Sequence, residues 1–165
     1  MGCLAVPAAA IADEMTDPRL CAEWGVTVWG LTYHVDRGID YNNLNWGGGV
    51  RCYARPAWKW LGQAPENKVF VEADALRNSY RGLLVPVSAG VEYKVGTVGT
   101  CDALFLGAVA VGYYGDTGRR RAGIRAGPLP GFALGCGRFK PSVTIIARPS
   151  HTILTALAMS ATIVF

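Results

Sequence analysis

The chain has 165 residues and a net charge of +4, with 51% hydrophobic and 17% charged residues. That length suits one domain, and the modest charge excludes the broad basic face that a nucleic-acid binder uses. No run reaches the roughly 18 apolar residues of a membrane-spanning helix, so the high hydrophobicity leaves a buried soluble core or a membrane β-barrel.

Residues 1–12, MGCLAVPAAAIA, combine a small-residue apolar run with an A-x-A site after Ala12. This pattern predicts the remnant of a secretory signal lacking its basic n-region, with the barrel domain spanning 13–165. Eight strand-like segments follow, near 23–35, 45–55, 67–79, 84–95, 101–114, 131–139, 141–148 and 156–165. The first carries TYH and ends near His34; the second opens on NWGGG.

The third and fourth segments alternate most cleanly. Val69, Val71, Ala73 and Ala75 interleave with Phe70, Glu72, Asp74, Leu76 and Asn78. Val85, Val87, Ala89, Val91, Tyr93 and Val95 interleave with Pro86, Ser88, Gly90, Glu92 and Lys94. A period of 2 with one apolar and one polar face is a half-buried strand. A barrel in lipid turns the apolar set outward and the polar set into its lumen. Glu72, Asp74 and Glu92 would then face inward. Such carboxylates could serve acid–base chemistry or be held by arginines or Lys94, since unpaired buried charge is costly.

The last segment, ALAMSATIVF, sets Leu157, Met159, Ala161, Ile163 and Phe165 on one face and Ala156, Ala158, Ser160 and Thr162 on the other. Strands ending in an aromatic residue resemble the close of bacterial outer-membrane barrels; the alternative is an edge strand of a soluble sandwich. The pattern predicts an all-β fold, an eight-stranded antiparallel transmembrane up-and-down β-barrel. An even strand number puts both termini on one side, with outward loops near 35–45, 79–84, 114–130 and 148–156.

Cys21, Cys52, Cys101 and Cys136 lack the C-x-x-C spacing of a zinc site, so no metal is expected. These four remain after removal of the signal, with Cys3 in it, and an even number in an exported chain allows disulfides, whose pairing the sequence leaves open; Cys52 and Cys136 could equally be small apolar side chains. The triplet Arg119-Arg120-Arg121 is either a solvated loop or, on an outer-membrane barrel, a binder of lipid phosphates.

His34 and Asn78-Ser79 fall at the same predicted end, and a hydroxyl, a base and an orienting group are the components of acyl transfer. The succession T-Y-H, then Y-N-x-x-x-W-G-G-G (Tyr41 to Gly49), then R-N-S-Y, resembles the lipid A palmitoyltransferase (PagP) family, which reads T-W-H, Y-N-x-x-x-W-G-G-G and K-D-S-W. GPLPGFALGCGRF and IIARPSH resemble its later proline-bearing strands, so the likeness spans about residues 27–165.

This resemblance implies an outer-membrane barrel that moves a palmitoyl group from a glycerophospholipid to lipid A without a cofactor. It implies a monomer whose partners are membrane lipids and not nucleic acid. His34 and Ser79 match the catalytic histidine and serine. Asn78 stands where the family has an aspartate, and is expected to orient the site. Pro128, Pro130 and Pro149 resemble the prolines of lateral lipid gates, or they simply end loops. The loop after His34 is shorter than the family's, with Asp36 or Asp40 as substitute carboxylates, and DEMTDPRLCAEWG shows no amphipathic helix. The alternatives are a non-catalytic barrel of the same ancestry that binds lipid or serves the envelope structurally, and a soluble barrel holding a small apolar ligand.

Overall fold

A computed structural model describes residues 21–35, 41–54, 66–115, 122–147 and 154–165. Among these, eight strands form one closed antiparallel barrel: β1 (Glu23–His34), β2 (Leu44–Ala54), β3 (Lys68–Arg77), β4 (Leu83–Val98), β5 (Cys101–Tyr114), β6 (Gly123–Gly135), β7 (Phe139–Ala147) and β8 (Leu154–Val164). Each strand pairs with its sequence neighbours, and β8 closes on β1 in a register from Gly25↔Val164 to His34↔Ala156. Closure gives every strand a hydrogen-bonded neighbour on both sides. The last backbone groups are tied in as well: Phe165 N–H donates to Trp24 O and Val164 N–H to Arg138 O.

The alternation works as the sequence predicts. Val71, Val87 and Val109 stand on the outside, each half exposed or more, at 50%, 51% and 58%. Glu72, Asp74, Ser88 and Glu92 are buried inside, together with Thr27–Thr162 and Ser142–Ser160 hydroxyl pairs at 3.0 and 2.7 Å. Among the described residues, no helix is long and apolar enough to cross a membrane.

The sixth strand departs from expectation. It starts at Gly123, within the segment expected to be a long loop, and runs through Pro128 and Pro130. The G-P-L-P-G run suggests a chain break, because proline lacks a ladder donor and glycine lacks a side chain to pack. Here the cost is avoided: β6 pairs with β5 along its whole length, but with β7 only from Gly131↔Thr144 to Ala133↔Ser142. Among the described residues, 128–130 of β6 and 145–147 of β7 therefore flank an unzipped seam. The strand also ends at Gly135, before a turn at Gly137 whose φ of +62° suits glycine.

Cys21–Cys52 and Cys101–Cys136 are disulfides. Both lie at the end of the barrel that holds Glu23 and Phe165. The other end carries the β1–β2, β3–β4, β5–β6 and β7–β8 connections. Residues 1–12, Asp36, Asp40, Pro149 and Arg119 to Arg121 lie outside the described residues.

Candidate functional site

The β3–β4 connection is a tight turn. Asn78 N–H donates to Gly82 O, Arg81 N–H donates to Asn78 O, and Arg81 takes a left-handed φ of 67°. The turn lifts Ser79 to the rim beside the end of β1. There His34 Nε2 lies 2.8 Å from Ser79 Oγ, and His34 Nδ1 lies 3.0 Å from Asn43 Oδ1. With a carbonyl oxygen on Nδ1, the ring proton belongs on Nδ1, leaving the Nε2 lone pair for the Ser79 hydroxyl. That is the tautomer a general base needs.

Neighbouring groups fix this arrangement. Tyr41 stacks on the imidazole at 4.3 Å between ring centroids, with an interplanar angle of 11°. Asn42 N–H donates to Ser79 O, and Thr32 N–H donates to Asn43 O. Asn45 Nδ2 donates to Thr32 Oγ1 and to Ser79 Oγ, at 2.8 and 3.2 Å. The serine oxygen thus receives one hydrogen bond while its own proton points to the histidine.

Asn78 has a different place from the expected one. Its Oδ1 accepts the Tyr80 and Gly82 amides at 2.9 and 3.0 Å, so it braces the turn. The side chain that orients His34 is Asn43. It lies in the stretch between His34 and Trp46, where asparagines at 42, 43 and 45 look alike in sequence. Only the three-dimensional loop path distinguishes them.

Below Ser79 the lumen opens into a cavity of about 330 Å³. Its wall is mainly apolar, with Leu76, Leu84, Leu106 and Ile146 among the lining side chains, and Trp29 and Asp74 partway down. Trp29 Nε1 donates to Asp74 Oδ1 at 2.9 Å. A Cβ on Gly49 would stand 2.0 Å from that same Asp74 oxygen, so the glycine in W-G-G-G makes room for the carboxylate. Arg125, Ala126, Gly127, Pro128 and Leu129 all line the cavity. Alternate residues of a paired strand face opposite sides, so five consecutive lining residues show the cavity reaching past the inner face of β6, next to the stretch 128–130 that lacks partners in β7.

The floor is ionic. Arg51 Nε and Nη2 donate to Glu72 Oε2 at 3.1 and 2.6 Å, and Nη1 donates to Glu92 Oε1 at 2.9 Å. Tyr53 Oη donates to the same Glu92 oxygen at 3.0 Å, and Lys140 Nζ to Glu92 Oε2 at 2.6 Å. The Arg51 guanidinium also lies over Phe70, 4.3 Å from its centroid. The inner carboxylates at 72 and 92 are thus held by cations, but Lys94 is not among them. It pairs with Asp102 at 2.7 Å and Glu66 at 3.3 Å. Arg51 was findable by parity, since positions 45, 51 and 53 of β2 share the inner face.

Among the described residues, no group of three or more His, Cys, Asp or Glu side chains could hold a metal. Searches of family models and of curated proteins find no match for this chain.

Proposed function

We propose that this protein is an outer-membrane acyltransferase that moves a fatty acyl chain from a glycerophospholipid to lipid A. The observation that carries the reading is the Ser79–His34–Asn43 hydrogen-bonded chain at the mouth of a mainly apolar, blind cavity. Such a cavity suits a hydrocarbon tail, and the hydroxyl at its rim suits the ester that the tail hangs from.

In this reading Ser79 Oγ attacks the ester carbonyl of the phospholipid while its proton passes to His34 Nε2. The tetrahedral adduct collapses and His34 returns the proton to the departing lysophospholipid hydroxyl, leaving acyl-Ser79. A lipid A hydroxyl then attacks this ester. Its proton goes to His34 and on to Ser79 Oγ as the acyl bond to the serine breaks. Asn45 Nδ2, bonded to Ser79 Oγ, steadies the negative charge that develops on that oxygen.

Further features favour the reading. The outward valines form the apolar belt that a bilayer solvates, whereas water-exposed proteins rarely carry one so extensive. The two disulfides suit an oxidising compartment outside the cytoplasm. The unzipped seam at Pro128 and Pro130 would let a lipid tail slide in from the side. Arg125, on the wall of the cavity, and Arg119 to Arg121 would meet lipid phosphates.

The second reading, a non-catalytic lipid-binding barrel, is favoured by the neutral Asn43 on His34 Nδ1, where a carboxylate would stabilise an imidazolium with a full charge. The deciding experiment is acyl transfer from a radiolabelled phospholipid to lipid A by the refolded barrel. Turnover that vanishes in Ser79→Ala supports the enzyme. No turnover from a heat-modifiable, folded barrel supports the second reading.

A further inference from the structure

A base that takes the Ser79 proton leaves a positive charge on His34, a residue only 9% exposed, and a buried charge needs an answering group. Both ring nitrogens are committed to neutral partners: Nδ1 donates to Asn43 Oδ1 at 3.0 Å, and Nε2 accepts from Ser79 Oγ at 2.8 Å. The Asn43 amide oxygen accepts a proton well but carries no full charge. The carboxylates of the lumen are engaged deeper down, Glu72 and Glu92 by Arg51 and Lys140, and Asp74 by the Trp29 indole. What is left to meet the charge is the flat face of the imidazole.

Tyr41 covers such a face. Its ring lies nearly parallel to the imidazole, with centroids 4.3 Å apart and an interplanar angle of 11°. That is well inside the roughly 6 Å over which the negative face of an aromatic ring attracts a cation. The stack is held in register with the serine from two directions. Tyr80, the residue after Ser79, meets Tyr41 edge-to-face at 5.6 Å and 65°, and itself packs on Tyr114 at 6.3 Å. The backbone of the next residue, Asn42, donates its N–H to Ser79 O at 2.8 Å. Tyr41–Asn42 and Ser79–Tyr80 thus grip each other through rings and main chain, and His34 lies between ring and hydroxyl.

We propose that Tyr41 is a positioning residue for acyl transfer, whose ring face stabilises the His34 imidazolium in place of a carboxylate. The inference rests on the acyl-transfer reading above and gives it one further residue. When the Ser79 proton moves to Nε2, the lone pair there becomes an N–H bond and the ring acquires a full positive charge. The charge is lost again when that proton goes to the departing lysophospholipid oxygen. Ring packing is present throughout, but the attraction between face and cation exists only while the charge does. It therefore lowers the barrier more than it stabilises the resting site.

The test grades the charge on the face while keeping its shape. Tyr41→Phe, and the same position carrying mono-, di- and trifluorinated phenylalanine, are refolded and checked for heat-modifiability. Initial rates of transfer from the radiolabelled phospholipid then give kcat and KM. Fluorine draws electron density out of the ring face and weakens its hold on a cation with little change of size. Tyr41→Phe should stay within about threefold of wild type, since the face is retained. Along the fluorinated series kcat should fall stepwise, by about tenfold in all, with KM changed by less than about twofold. In an Asn43→Asp background, where a carboxylate takes the charge, the same series should flatten to within about twofold. Tyr41→Leu removes packing and face together, so the graded series decides. Equal kcat across that series overturns the inference and leaves the acyl-transfer reading standing; no transfer by the folded wild-type barrel overturns both.

Discussion

The upper and lower halves of this lumen are made by the same eight strands, yet they handle burial in opposite ways. In the lower half, charges are packed against each other until no space is left: Tyr53 is 1% exposed and Glu92 0%. Arg51 and Lys140 pair with Glu72 and Glu92, and the Arg51 and Lys140 cations also sit over the Tyr53 ring at 5.8 and 4.5 Å. In the upper half a cavity with a mainly apolar wall is interrupted by the Trp29–Asp74 pair, and a polar chain from Asn43 through His34 to Ser79 sits at the rim. The lesson is that one half supplies rigidity and a floor, while the other supplies room and a hydrogen-bonded Ser–His pair. If the proposed acyl transfer holds, stability and activity separate by mutation.

The sharpest test of that separation is Ser79→Ala. Acyl transfer should fall by roughly 10³-fold or more, as for other activated nucleophiles, while the urea midpoint of the barrel stays put. A comparable loss of stability in this variant would merge the two halves. The converse is Arg51→Met, which strands Glu72 in the interior while Glu92 keeps Lys140 and Tyr53. Unfolding free energy should drop by about 3–5 kcal/mol, the usual result of removing one partner of a buried ion pair. Equilibrium denaturation in urea reads it.

Smaller effects probe the orienting bond. Asn43→Ala should lower transfer by about 10–100-fold, since His34 loses the acceptor that fixes its tautomer. Asn43→Asp should raise it by about tenfold, by giving the imidazolium a full counter-charge. Initial rates on the labelled phospholipid measure both. Smallest of all is Asn78→Asp. The resemblance to the palmitoyltransferases makes this the natural restoration, yet the side chain serves the turn, and an aspartate would accept the same two amides. Transfer should change by less than about threefold; a large gain would return the orienting role to position 78.

How far the sequence reached follows the same division. Strand alternation exposed the inside and outside of β3, β4 and β8, because a period of 2 depends only on local side-chain direction. His34 and Ser79 were reached through the likeness of T-Y-H and R-N-S-Y to a family pattern, and the structure brings the two within 2.8 Å. What lay beyond reach was register and path. Arg51 meets Glu72 because the two are cross-strand partners, and no periodicity reports which strands are neighbours at which offset. Asn43 outranks Asn42 and Asn45 only through the course of the chain after Tyr41. The start of β6 was hidden because proline and glycine predict a break wherever a ladder is assumed on both sides, and here β7 forms none before Gly131.

The disulfides have a consequence for how the barrel is assembled. Each staples one sequence-local unit: Cys21 to Cys52 over 31 residues at the β1–β2 hairpin, and Cys101 to Cys136 over 35 at the β5–β6 hairpin. Neither crosses the β8–β1 junction. Both bonds can therefore form while the polypeptide is still an open ribbon, removing loop-closure entropy from each hairpin before the ring exists. The final zipping of β8 onto β1, from Gly25↔Val164 to His34↔Ala156, is left to hydrogen bonds and packing alone, so thiol oxidation and ring closure are independent events in the life of the chain.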